Sequence, residues 1–328
     1  MTRETPSRML HDHDPRAHAQ GHDRHDHTDT VPATSTAIDS SRRGVRPADR
    51  IADLWDRARD AMERPFARPW HADLCDYYRV SPAEALALGT RSSDRRPSLP
   101  SSATTHAVSG QTFDELWRAR SRTNPASIHS FYQEIGAWAA FRQVVFHRQH
   151  SFRFVSRLIR PGDRFCEYGA GVAPISAWLL EHRSRMPFEL TIADVPSEHL
   201  TFGKWRLDRR AAQLRSPATI RSIEIQPDRL PLEGAYDAIA ILEVFEHLPN
   251  PLEVTAHLCD HLRPGGLLWE NYINHPHQHD PHDHGADLPA AQEQRPAVLA
   301  LLRERCDLVR DYDPAAPFEG GTRCWRRR

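Results

Sequence analysis

The 328-residue sequence has no apolar run long enough to cross a bilayer, which takes about 20 residues, so no membrane span is expected. Its first residues also lack the apolar core of a secretory signal. Cysteine is scarce. Cys75, Cys166, Cys259, Cys306 and Cys324 are far apart and form no Cys-x-x-Cys, which argues against a disulfide framework and fits free thiols in a reducing cytoplasm. Neither sign of charge dominates: 43 Lys and Arg face 44 Asp and Glu, so no global field recruits nucleic acid. Apolar residues are also few for a uniformly packed chain, with a mean hydropathy of −0.65, so part of the length is expected to stay unpacked.

That deficit is local. Residues 1–47 are rich in His, Asp, Arg, Ser, Thr and Pro and read as a disordered His-rich arm. Residues 48–110 read as a helical segment and linker. One helix is expected near Ile51–Met62 and another over Pro82–Leu88, where Ser81 is the N-cap and Pro82 the first helical residue. Residues 111–160 read as an N-terminal helical lid. Ile135, Trp138, Phe141, Val144 and Val145 recur at helical spacing between Ile128 and Leu158, and Pro161-Gly162 ends the pattern.

Residues 161–328 then alternate strand and helix. Strands are expected at Arg164–Tyr168, Glu189–Ala193, Ile220–Ile225, Ala235–Leu242 and Leu267–Ile273, with helices at Pro174–Glu181, Glu198–Leu214, Leu252–Leu262 and Ala297–Arg305. Leu308–Tyr312 and Thr322–Arg326 are expected to pair as a terminal antiparallel hairpin. Repeated strand–helix units imply an α/β fold, with a mostly parallel sheet covered by helices on both faces.

The first strand meets its helix at Glu167-Tyr168-Gly169-Ala170-Gly171-Val172-Ala173-Pro174. Glycine there allows a tight turn and close approach of a ligand to the backbone. A dinucleotide fingerprint needs Gly-x-Gly-x-x-Gly, but Pro174 stands at its third glycine. Glu167 would also repel a pyrophosphate, whereas it suits a cationic ligand.

This segment resembles motif I of the class I S-adenosylmethionine-dependent methyltransferases, with Ala173 at the family's third glycine. Asp194, which ends the next strand in Leu190-Thr191-Ile192-Ala193-Asp194, resembles motif II. Ile225-Gln226-Pro227-Asp228-Arg229-Leu230-Pro231 resembles the stretch that meets the adenine. Leu242-Glu243-Val244-Phe245-Glu246-His247 looks like the corresponding segment of the small-molecule O-methyltransferase branch, and Arg263-Pro264-Gly265-Gly266 like the turn before strand five. The resemblance runs in order over about residues 160–273. It implies a Rossmann-like seven-stranded sheet and S-adenosyl-L-methionine as cofactor. It further implies that Glu167 and the Gly169, Ala170 and Gly171 backbone hold the methionine part, that Asp194 accepts the ribose hydroxyls, and that Val195 lies against the adenine. Gln226 stands where the family has an acid toward the adenine, and Asp228 is the nearby substitute. Glu243 is expected beside the cofactor.

For chemistry, methyl transfer draws on alignment and, for a hydroxyl acceptor, on a base. His247, just past strand four, is the candidate base, and Tyr132 on the lid is the candidate to orient the acceptor. Glu243, Glu246 and His247 also resemble part of the metal ligand set of the small-RNA 3′-end methyltransferases, with a fourth ligand to come from the loop Asn274–His279; no metal is expected. The acceptor is expected to be a small molecule, in secondary or specialised metabolism, and nucleic acid is not expected. The alternatives are an RNA-modifying enzyme, using the arginines at 148, 153, 157, 160 and 164 as a phosphate-binding face, and a non-catalytic cofactor-binding partner.

Overall fold

A computed structural model of the protein describes residues 69–90, 119–121, 123–147, 152–272, 288–311 and 321–328. The expected arm, the helix near Ile51–Met62 and the loop Asn274–His279 lie outside the described residues. Strands β1 (Arg164–Tyr168), β2 (Glu189–Asp194), β3 (Thr219–Glu224), β4 (Tyr236–Ile241), β5 (Leu262–Glu270), β6 (Cys306–Arg310) and β7 (Arg323–Arg327) form a seven-stranded sheet in the order β3-β2-β1-β4-β5-β7-β6. β1 to β5 pair in parallel, and β7 is antiparallel to both β5 and β6. This is the Rossmann-like sheet with a terminal antiparallel hairpin.

Side-chain alternation explains how both faces are buried. Phe165, Ala238, Ala240, Leu267 and Trp269 point into one core, and Cys166, Ile239, Ile241 and Leu268, each shifted by one residue, into the other. The first core is covered by α1 (Pro69–Tyr78), α2 (Pro82–Thr90), α3 (Pro125–His147), α5 (Pro174–His182) and α6 (Glu198–Leu214), through Leu74, Leu88, Phe141, Trp178 and Leu207. The second lies under α7 (Pro251–Asp260) and α8 (Pro289–Arg305), through Leu258 and Leu302. α4 (Arg153–Ser156) is a single turn leading into β1.

Local signals set several boundaries. The Ser81 hydroxyl accepts from the Glu84 N–H (3.3 Å) while the Glu84 carboxylate accepts from the Ser81 N–H (2.7 Å), a reciprocal cap. The Ser197 hydroxyl caps α6 by accepting from the Leu200 N–H at 3.4 Å. Two helices depart from expectation. The expected Ile128–Leu158 helix runs from Pro125 to His147 and breaks at Gly136 (φ 48°, ψ −136°), a conformation open to glycine. α8 starts at Pro289, eight residues before the expected Ala297, and carries Pro296 inside it. α1, which was not anticipated, is fastened to α6 by the buried Asp73 carboxylate, 2.8 Å from the Arg210 guanidinium.

Candidate active site

The C-terminal ends of β1, β2 and β4 open on a cleft of about 450 Å³, within the range of small-ligand pockets. A recess of about 70 Å³ lies deeper, beside the glycine turn. Tyr168, Gly169, Gly171, Glu243 and Gln143 line both.

The turn is braced from every side. Gly169 takes φ +68°, and a Cβ there would lie 2.3 Å from Val244 Cγ2. Gly171 takes φ +52°, and a Cβ there would lie 2.3 Å from Gln143 Oε1. Positive φ favours glycine at both places, and at Gly169 the Val244 side chain also leaves no room for a Cβ. The buried Arg206 guanidinium holds the turn from behind by donating to the Val172 and Ala173 carbonyls, the latter at 2.9 Å. The turn's N–H groups are all engaged. Those of Gly169 and Ala170 donate to the Ala193 carbonyl (2.8 and 3.0 Å), that of Gly171 to Asp194 Oδ2, that of Val172 to Gln143 Oε1 (3.1 Å), and that of Ala173 to the Ala170 carbonyl (2.7 Å).

Glu167 lines the recess rather than the large cleft. Its two oxygens accept from the Ile175 and Ser176 N–H groups (3.0 and 2.8 Å), so it closes the N-terminus of α5 from the end of β1. Burial raises its carboxyl to about 7, against the pull of those N–H groups. Asp194, at the end of β2, lines the large cleft. Its Oδ1 accepts from the Val195 N–H at 2.6 Å and its Oδ2 from the Gly171 N–H. Each oxygen keeps a lone pair for a ligand hydroxyl. Burial raises this carboxyl to about 6.

Glu243 follows β4 with φ +57°, rare for a residue with a side chain. It is cross-braced to the end of β5: its N–H donates to Asn271 Oδ1 (2.7 Å), and the Asn271 amide donates back to its carboxylate. His247 sits in the 3-10 turn Phe245–His247, with Nε2 3.7 Å from Glu246 Oε1. Val195, Gln226 and Asp228 line the same cleft, so the sheet edge gathers the residues proposed for the nucleoside end. Ala170 is buried in the turn but faces neither wall of the large cleft. Among the described residues, no group of three or more His, Cys, Asp or Glu is arranged to hold a metal ion.

The opposite wall comes from α3 and the start of α6. Tyr132 lies in the cleft beside Ile128 and His129, and its ring meets His199 edge to face at 6.0 Å. His199, 1% exposed, makes no hydrogen bond among the described residues, and burial lowers its imidazole to about 4. It therefore lines the cleft uncharged at neutral pH. Sequence reasoning missed Gln143, His129 and His199. His199 stands in the first turn after the Ser197 cap, five residues past Asp194, so its place at the mouth was readable from that cap.

Residues 166–268 match the methyltransferase domain family. That stretch runs from β1 into β5, the part of the sheet whose strand ends carry the glycine turn, Asp194 and Glu243. The chain is similar to the ubiquinone biosynthesis O-methyltransferase of Xanthomonas campestris pv. campestris (strain B100), with 27% identity over 119 residues, 36% of this chain and 46% of that protein. The match thus spans less than half of that relative. Among solved structures, N-methyltransferase NodS from Bradyrhizobium japonicum WM9, in complex with S-adenosyl-L-homocysteine, is 14% identical over 57% of this chain and 87% of its own, with a TM-score of 0.37. The glycopeptide N-methyltransferase MtfA, complexed with sinefungin, is 16% identical over 55% and 84%, with a TM-score of 0.36.

Proposed function

We propose that the chain transfers the methyl group of S-adenosylmethionine to a nucleophilic atom of a small molecule. The observation that carries this reading is the convergence of Asp194, the Gly169–Gly171 turn, Glu243 and His247 on one cleft of about 450 Å³. The residues fit the donor: Asp194 has lone pairs for vicinal hydroxyls, and the acidic Asp194 and Glu243 favour a cation. When bound, the donor supplies an electrophilic methyl on a sulfonium.

The chain's own part is to hold, align and deprotonate. Asp194 and Val195 hold the nucleoside end, with Asp228 and Gln226 at its far side. Glu243, fixed by Asn271, keeps a negative charge beside the donor. His247 accepts the proton of the acceptor, and Glu246 at 3.7 Å favours the resulting imidazolium. Tyr132 orients the acceptor from the lid.

An RNA acceptor is the weaker reading. Arg164 belongs to the fold, donating to the Ala235 carbonyl (2.7 Å), pairing with Glu189 (2.9 Å) and lying over the Tyr236 ring. Arg148 lies outside the described residues. The test is incubation with methyl-labelled S-adenosylmethionine and separate pools of small nucleophiles and RNA. Label is expected in a small molecule and absent with His247→Ala. Label in RNA alone, or in neither pool, counts against the proposal.

A further inference from the structure

The glycine turn leaves an anion nowhere to bind on its backbone. From Gly169 to Ala173 each N–H already has a partner, and those of Ile175 and Ser176 close on Glu167. Pro174 has none to give. A methyl donor's amino-acid end nevertheless carries a carboxylate as well as an ammonium. The acids at this place, Glu167 and Glu243, suit the ammonium alone.

Gln143 is the side chain that answers this. It reaches down from α3 onto the turn and lines both the cleft and the recess. Its Oε1 is committed to the Val172 N–H at 3.1 Å, which fixes which way the amide faces. Its Nε2 has no hydrogen bond among the described residues, and it is not sealed from solvent. An amide held by its oxygen thus presents its two N–H donors to the recess. His147, one turn further along the same face of α3, adds a second nitrogen-bearing side chain there.

We infer that Gln143 is a donor-binding residue whose amide N–H groups hold the carboxylate of the amino-acid end of S-adenosylmethionine, standing in for backbone donors that the turn has used internally. This rests on the reading given under Proposed function. It also assigns the lid helix a direct part in donor recognition, beyond shaping the acceptor pocket.

The test is calorimetric titration with two probes, S-adenosylmethionine and its decarboxylated analogue, which keeps the sulfonium and ammonium but lacks the carboxylate. The wild-type chain is expected to bind the first about tenfold more tightly, the scale of one hydrogen bond to a charged group. Gln143→Leu is expected to bind the two alike, its affinity for S-adenosylmethionine falling about tenfold more than that for the decarboxylated probe. Gln143→Asn, too short to reach both the turn and the ligand, is expected to behave as Gln143→Leu and covers the case in which leucine disturbs the fold. Either variant keeping the wild-type preference, or a wild-type chain without one, overturns the inference while leaving donor binding intact. A wild-type chain that binds neither probe overturns the proposed function, and this inference with it.

Discussion

The two walls of the cleft are held in different ways. On the sheet side three acids at the strand ends are tied in place: Glu167, in the recess, to two helix N–H groups, Asp194 to the Gly171 and Val195 N–H groups, and Glu243 to Asn271. The helix wall is placed by packing. Phe131, Ile135 and Trp138 form a small core of their own, and Tyr132 and His199 meet ring to ring. α3 is also broken at Gly136, between the half that carries His129 and Tyr132 and the half that carries Gln143. On the proposed reading, the side that holds the donor is fixed by hydrogen bonds, whereas the half of α3 before Gly136, which faces the acceptor, is placed by packing and does not touch the glycine turn.

The largest expected effect comes from the sheet wall. His247→Ala should lower kcat by about 10²- to 10⁴-fold, the usual contribution of a positioned base, with donor affinity unchanged. Steady-state kinetics beside calorimetry checks it, and parallel losses in both would remove the base assignment. Next is Glu167→Ala, which orphans two buried N–H groups and should cost about 2–3 kcal/mol of stability in a denaturant titration. A neutral outcome would mean that the turn is held without it. Gly136→Ala should cost roughly 1–3 kcal/mol, because its φ and ψ are closed to alanine. It should raise KM for the acceptor more than for the donor, because the kink sets the direction of the half of α3 that carries His129 and Tyr132.

A pH series sharpens the comparison further. The Glu167 carboxyl rises from 4.5 to about 7 and that of Asp194 from 3.8 to about 6, in both cases through burial. Across that window the folded chain holds more protons than the unfolded one, so this stability is fully present below about pH 4 and is lost as pH rises through 6 to 7. Glu167→Gln should flatten part of that slope. The smallest effect is expected at the helix wall: Tyr132→Phe should change stability by no more than about 0.5 kcal/mol and act through KM for the acceptor.

The same contrast decided what was legible in the sequence. The strands, the hairpin and the glycine turn follow from periodicity and from turn residues, whereas the seven-stranded sheet and the candidate roles of Asp194, Val195 and Glu243 came from the family resemblance. Ser81 announced its helix locally, as its N-cap. The helix wall gave no such signal. Its aromatics read as an amphipathic helix, but Gly136 resets the helical phase, so the spacing around it could not tell which side chains face the cleft. Gln143 was invisible for that reason. Glu167 shows the opposite limit. Its position at the strand end was clear, while its orientation toward the N–H groups of α5 depended on a helix start that the sequence placed but did not orient.

The central claim is that the sheet wall holds the methyl donor, and one calorimetric titration tests it most directly. S-adenosylhomocysteine is titrated into the wild-type chain and into Asp194→Ala, with folding of both confirmed by circular dichroism. The account predicts one-site binding to the wild type and a loss of about 1–3 kcal/mol in the variant, the scale of hydrogen bonds to a charged group. No heat from the folded wild-type chain, or equal affinity in the two, would contradict it.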